Sequence, residues 1–321
     1  MDAGIEVGFD DGFDDGLDDE VDASSEGESG PSGPKLDAMV GEDGSPLHES
    51  DACKKADLVF VIDNSGSMSD EQDNLVGSFP AFIDEIQLEL AQTEGYHIGV
   101  ISTDLYDFND GCLQEGAMIT ATGGEGSSDM TCGPFAEGHS YMTELDDLDA
   151  AFACAAQIGI EGSGNERGLQ TLQAALAPDM IGPGGCNEGF LRDDALLVVV
   201  LITDEEDDHE VEGCDQELED GSKGEPADWF ANVVAAKGGI ESNVVVLALV
   251  GPKGPNPAIC PGLDKCAGGK LGAEVATRIM QFTHMFTNGF VGRVCAPSYA
   301  SLFADAVALI DGACDDFEPI R

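Results

Sequence analysis

Positive charge is scarce in this chain: 13 Lys and Arg stand against 64 Asp and Glu, a formal net charge of -51 over 321 residues. Nucleic acid and anionic membrane surfaces are excluded as partners on that ground, because both require cationic side chains to neutralise phosphates. Long apolar runs are missing too, and none approaches the roughly 20 residues of a membrane span. Common signatures of catalysis are absent: there is no His-Glu-x-x-His, no Gly-x-Ser-x-Gly and no phosphate-binding glycine loop. Five histidines and no Cys-x-x-Cys pair leave little from which to build a zinc or redox centre. The N-terminus has no basic region, apolar core or cleavage site, so it carries no export signal of its own.

Residues 1–51 are rich in Asp, Glu, Gly and Ser and include the near-repeat G-F-D-D, G-F-D-D, G-L-D-D from Gly8 to Asp19. They offer almost no apolar material and read as a disordered acidic linker. The repeat lacks the Asp-x-Asp-x-Asp-Gly order and distal glutamate of an EF-hand loop. Residues 52–321 then form one domain. Its ten cysteines, Cys53, Cys112, Cys132, Cys154, Cys186, Cys214, Cys260, Cys266, Cys295 and Cys314, are an even number and read as a disulfide framework, which implies the cell surface, the periplasm or the medium. Either an export segment has been removed, or the start lies further upstream, or the cysteines are reduced thiols of a cytosolic protein. Any membrane attachment would be an upstream lipid anchor, with the acidic stretch as tether. Spacing suggests bridges Cys112 to Cys132, Cys154 to Cys186 and Cys260 to Cys266.

The most informative stretch is Asp57 to Met68, D-L-V-F-V-I-D-N-S-G-S-M. An unbroken apolar run from Leu58 to Ile62 reads as a strand covered on both faces, the pattern of a parallel sheet in an α/β fold. Ligands of such sheets bind beyond the carboxyl ends of the strands, where Asp63, Ser65 and Ser67 follow. One carboxylate and two hydroxyls are hard oxygen donors and suit Mg²⁺, with Mn²⁺ or Ca²⁺ as alternatives. Ser65 and Ser67 also fit a capping role for the next helix. Ser69 to Leu90 places Leu75, Val76, Phe79, Phe82, Ile83 and Ile86 at helical spacing, with Pro80 expected to bend or restart the helix. Further strands are expected at Tyr96 to Thr103, Ala117 to Thr122, Ala195 to Ile202, Asn243 to Val250 and Gly289 to Val294. Helices are expected at Leu145 to Ile158, Glu166 to Leu176, Pro226 to Lys237, Thr277 to Phe286 and Ala300 to Ile310, with Trp229 in the core.

The segment around Asp63 resembles the von Willebrand factor type A family, whose metal-ion-dependent adhesion site begins with Asp-x-Ser-x-Ser after its first strand. The apolar run Ala195 to Ile202 ending in Thr203-Asp204 resembles the family's strand-then-Thr-Asp element, and implies Asp204 as a further ligand. Where the family has Gly-Thr-Asn before a helix, this chain has Gly162-Ser163-Gly164-Asn165, which assigns Ser163 the threonine's part. Gly189 to Ala195 and the acids from Asp204 to Asp207 look like the bacterial secreted and lipoprotein branch. The resemblance implies a doubly wound, mostly parallel sheet flanked by helices. It also implies a cation with an open coordination position filled by an Asp or Glu carboxylate of a protein partner, and a Cys53 to Cys314 bridge, for which Cys295 to Cys314 is the local alternative. Asp104 and Glu205 are candidates to support the ligands from behind. The run Glu205, Glu206, Asp207, Asp208, His209, Glu210 reads either as a second metal site or as a solvated sheet edge.

The leading reading is a metal-dependent, adhesion-type binding domain of a secreted or surface-anchored protein, not an enzyme. The alternatives are an intracellular subunit accompanying an ATP-driven machine and, behind it, a metal-dependent hydrolase using Glu205 or Glu206 as base. Deleting residues 1–51 is expected to leave the melting temperature nearly unchanged, since their composition cannot offset the entropy of ordering. A drop of several degrees in a calorimetric scan would show instead that the acidic segment docks on the domain.

Overall fold

Three apolar runs, each buried along its whole length, make the centre of the sheet. In the computed structural model, which describes residues 54–89, 95–109, 111–207, 221–252 and 272–320, these are β1 (Lys55–Ile62), β3 (Leu196–Ile202) and β4 (Val244–Val250). With β2 (Gly95–Ser102) and β5 (Gly289–Arg293) they form one parallel sheet in the order β2-β1-β3-β4-β5. Continuous rather than alternating hydrophobicity is what burial on both faces demands. Along β1 the side chains divide accordingly: Leu58, Phe60 and Ile62 join one core, Val59 and Val61 the other.

The first core lies under α1 (Ser69–Glu89), α2 (Leu148–Ala156) and α7 (Ala300–Asp315). Its centre is aromatic: Phe79 stacks on Phe152 at 3.5 Å between centroids and Phe60 meets Phe152 edge-on at 4.8 Å. The second lies under α3 (Gly168–Ala175), α5 (Pro226–Ala236) and α6 (Thr277–Thr283). Trp229 is fully buried there, with Arg278 4.6 Å above its ring. The short helix α4 (Pro178–Ile181) completes the set. Of the two effects expected at Pro80, the restart does not occur: α1 runs through it. Phe79 and Phe82 on either side are locked into the aromatic core, which offsets the roughly 3 kcal/mol that an internal proline costs.

The expected strand at Ala117 to Thr122 does not form. Side chains take up its backbone groups instead: Asn187 Oδ1 accepts from Met118 N at 3.0 Å, Asn109 Nδ2 donates to Met118 O at 2.8 Å, and Asn109 Oδ1 accepts from Thr120 N at 3.0 Å. What remains toward β2 is the bond from Ile119 N to Val100 O, and around the Ala121–Thr131 bridge Thr122 N bonds Met130 O at 2.9 Å while Cys132 N and Gly133 N both bond Thr120 O at 2.8 Å. Gly99 on β2 makes this docking possible, because a Cβ there would lie 2.4 Å from Met118 Cε.

The same stitching decides the disulfides. Among the described residues Cys112 pairs with Cys186 and Cys132 with Cys154, which replaces the expected pairings of Cys112 with Cys132 and of Cys154 with Cys186. Asn187, next to Cys186, also donates to Gly116 O at 2.9 Å and so brings Cys186 under the 109–118 segment. Ser128 donates to Cys154 O at 2.9 Å and carries the Cys132 loop to α2. Cys295 and Cys314 are disulfide-bonded as well. Cys53, Cys214, Cys260 and Cys266, the acidic segment with its repeat, and Asp208 to Glu210 lie outside the described residues.

Bridge separations of 74 and 22 residues imply unequal stabilisation. In the chain-entropy account, removing the longer loop's bridge (C112A with C186A) costs about 4 kcal/mol and removing the shorter (C132A with C154A) about 3 kcal/mol. Urea unfolding of the two double variants measures this ranking, and peptide mapping of the unreduced protein checks the pairing.

Candidate metal centre

Register brings the carboxyl ends of the strands level. Ile62 pairs with Ser102 on one side and Ile202 on the other, and Ile202 pairs with Leu249. Asp63, Thr103 and Thr203 therefore leave the sheet in a row. The chain order reverses between β1 and β3, and the crevice at such a switch point is where open α/β sheets bind ligands.

Asp63 is fully buried and held from both sides: its amide bonds Ile202 O at 3.0 Å, Thr203 Oγ1 donates to Asp63 Oδ2 at 2.6 Å, and Ser65 N donates to Asp63 Oδ1 at 2.7 Å. Gln72 from α1 donates to Asp63 O at 2.9 Å and to Gly159 O at 2.8 Å, tying the turn to the neighbouring loop. The hydroxyls of Ser65 and Ser67 lie 3.2 Å apart, and Ser67 Oγ donates to Asp204 Oδ1 at 3.0 Å. The four residues Asp63, Ser65, Ser67 and Asp204 thus meet. Asp204 Oδ2 is buried with no hydrogen-bond partner.

Ser163 is placed differently. It is half-buried, its hydroxyl accepts from Asn165 N at 3.1 Å, and its own amide donates to Asp104 Oδ2 at 2.8 Å. Asp104 accepts from Ser102 Oγ at 2.9 Å as well, so it fastens the 162–168 loop to the end of β2. Glu205 is buried and its amide bonds Thr203 Oγ1 at 3.0 Å, supporting the hydroxyl that holds Asp63.

Of the acids after Glu205, the two within the described residues, Glu206 and Asp207, form no solvated edge. Glu206 caps the start of α6 through Arg278 N at 2.8 Å and Ile279 N at 3.3 Å. Asp207 accepts from Leu169 N at 2.9 Å in α3 and from Ser222 N and Oγ at 2.6 Å each. Carboxylates on helix amides are favourable at both places. Two further acids carry no sequence signal of a role at this edge. Glu71, in the first turn of α1, and Glu166, just before α3, are buried, and Glu71 Oε2 and both Glu166 carboxyl oxygens lack hydrogen-bond partners. Sequence pattern makes Glu166 a helical residue, but α3 begins at Gly168 and leaves it in the loop.

Among the described residues no three His, Cys, Asp or Glu side chains converge closely enough to hold an ion by themselves, so the serine hydroxyls are integral to any cation site here. The donor set is entirely oxygen, which fits a hard divalent ion. Electrostatics point the same way. Burial, then the nearby charges of Asp63 and Glu71, push Asp204 up to about 9, and burial followed by Asp70 pushes Glu71 up to about 8. Burial likewise raises Asp63, and raises Glu166 well above the ordinary glutamate range, with Asp63, Glu205 and Asp104 adding to the effect.

No family model matches this sequence, and no curated protein does. Among solved structures, the chain is similar to proximal thread matrix protein 1 from the mussel byssus, at 15% identity and TM-score 0.37, covering 79% of this chain and 48% of that one. It is also similar to a point mutant of the PilB minor pilin from Streptococcus sanguinis (12% identity, TM-score 0.40, 83% of this chain and 64% of that one). A third is the pilus adhesin SpaC of Lactobacillus rhamnosus GG in its open conformation (13%, 0.39, 82% and 30%). The chain spans less than two thirds of each of these proteins. Likenesses this loose say nothing of function, which rests on the site geometry alone.

The raised acids give a pH dependence with a definite sign. A carboxyl whose folded value lies above its unfolded one stabilises the fold below the unfolded value, and that stability is lost as pH rises through the folded value. For Asp204 the window runs from its ordinary 3.8 to about 9. The metal-free protein is therefore expected to melt at lower temperature as pH is raised across this range, with a shallower slope in D204N. Melting curves in chelator that fall equally steeply in both proteins would count against it.

Proposed function

We propose that this chain is a divalent-cation-dependent protein-binding module of the von Willebrand factor type A kind, acting at a cell surface or in another oxidising compartment outside the cytosol. The observation that carries the reading is the meeting of Asp63, Ser65 and Ser67 from the end of β1 with Asp204 from the end of β3, closed by the 3.0 Å bond from Ser67 to Asp204. Mg²⁺ is the first choice of ion, with Mn²⁺ and Ca²⁺ sharing the same oxygen chemistry. In this reading the two hydroxyls contact the ion and the carboxylates sit beside or behind them, reaching it through water. Hydroxyl ligands leave the ion incompletely neutralised, so an Asp or Glu side chain of a protein partner gains a charge-assisted bond on entering. A chain carrying -51 repels an acidic partner everywhere else, which makes the contact depend on the cation.

Binding rather than catalysis is supported by the commitments of the nearby acids. Glu206, one of the two acids that would have to serve as a base, is fixed on the amides at the start of α6. The compartment is supported by the disulfides, which persist outside the reducing cytosol. No helix among the described residues is long and apolar enough to cross a membrane.

Calorimetric titration with Mg²⁺ and Mn²⁺ tests the reading. One equivalent is expected to bind the wild-type protein, and D63A is expected to abolish binding while circular dichroism shows the fold retained, because the strands bury their apolar runs without the ion. Undiminished binding in D63A would remove the proposal.

A further inference from the structure

The loop between Gly162 and Gly168 is fastened at several points over the strand ends. Gly162 N bonds Asn64 O at 2.8 Å after β1, Arg167 N bonds Thr103 O at 3.1 Å after β2, and Leu169 N bonds Asp207 at 2.9 Å after β3. Gly168 is packed so closely that a Cβ would lie 3.3 Å from Thr103 and 3.5 Å from Val61. These fastenings push Glu166 inward beneath the loop, 3% exposed, with neither carboxyl oxygen hydrogen-bonded. The Thr103 hydroxyl lies close enough to ease its charge, but far less than burial raises it. No ion pair reaches it among the described residues: its neighbour Arg167 faces Glu115 at 3.9 Å instead. A buried carboxylate without counter-charge is costly, and this one shares its surroundings with Asp63 and Asp104. Asp204 Oδ2, also buried and unpartnered, lies at the same sheet edge. Ser163, by contrast, is half-buried and has its hydroxyl engaged by Asn165 N.

We propose that Glu166, and not Ser163, is what the 162–168 loop contributes to the bound cation, as a buried negative charge acting through ordered water. This rests on the cation site proposed above and deepens it: the ion is compensated by the carboxylates of Asp63, Asp204 and Glu166 around the Ser65 and Ser67 hydroxyls.

The test compares wild type, E166Q, S163A and D63A by calorimetric titration with Mg²⁺ and with Ca²⁺, and by melting temperature with and without each ion. Glutamine keeps the size and an oxygen but removes the charge. E166Q is expected to bind about ten- to a hundredfold more weakly, as loss of a supporting carboxylate does, and S163A to bind as wild type. Without metal, E166Q is expected to melt no lower than wild type, since an uncompensated buried acid has been removed, while the rise on adding ion shrinks. Equal affinity in E166Q and wild type would overturn the assignment, as would a loss in S163A matching that in E166Q. Failure of the wild-type protein to bind either ion would instead bring down the cation site itself, and this inference with it.

Discussion

The pairing of β1 with β3 fixes both the core and the site. It sets Ile62 beside Ile202, so Asp63 and Thr203 emerge at the same height and the threonine hydroxyl closes on the carboxylate at 2.6 Å. A slip of one residue would turn every β1 side chain to the opposite face. Phe60 would leave the ring cluster of Phe79, Phe82 and Phe152, and the Asp63 carboxylate would leave Thr203. Burial of a single large apolar side chain stabilises by about 1.5–3 kcal/mol, and several depend on this register. The hydrophobic pattern of β1 therefore holds the site geometry in place without help from the site itself.

The acids around that edge differ in what compensates them. Asp207 and Glu206 satisfy helix amides, and Asp104 satisfies the Ser163 amide and the Ser102 hydroxyl. These are structural uses of negative charge, and they account for why Glu206 and Asp207 are buried rather than solvated. Asp63 has a hydroxyl and an amide, Asp204 has only Ser67, and neither carboxyl oxygen of Glu166 is hydrogen-bonded. Compensation thus falls away toward the place where β1, β3 and the 162–168 loop meet.

Much of this was legible in the sequence, and the failures have physical causes. Continuous apolar runs at β1, β3 and β4 announce buried parallel strands, because a short run with two apolar faces must be covered on both. Asp63, Ser65, Ser67 and Asp204 follow those runs directly, so their meeting needed only the strand order. Glu166 was hidden because an acid before an apolar helix reads as ordinary first-turn chemistry; only the fastening of the loop to Asn64 and Thr103 buries it. The 117–122 segment has strand composition, but Asn109 and Asn187 claim its backbone groups, and side-chain competition of this kind leaves no periodic trace. Disulfide pairing failed for the same reason, since it follows from where those asparagines bring the chain and not from cysteine spacing.

The opposite edge of the same sheet supplies the sharpest contrast. Asp57 is as buried as Asp63, yet it is met by Arg192 through Nε at 2.7 Å and through its amide at 2.7 Å. Lys237, itself fully buried, donates to Arg192 O at 2.6 Å and adds its charge nearby. Even so, burial outweighs Arg192 and leaves Asp57 pushed up to about 6. A fold that provides an arginine and a lysine for one buried aspartate at its amino edge provides no ion pair for Asp63, Asp204 or Glu166 at its carboxyl edge, among the described residues. Of the 13 basic residues in the whole chain, Arg192 and Lys237 serve the amino edge. The cation proposed above would supply at the carboxyl edge the positive charge that Arg192 and Lys237 supply at the other.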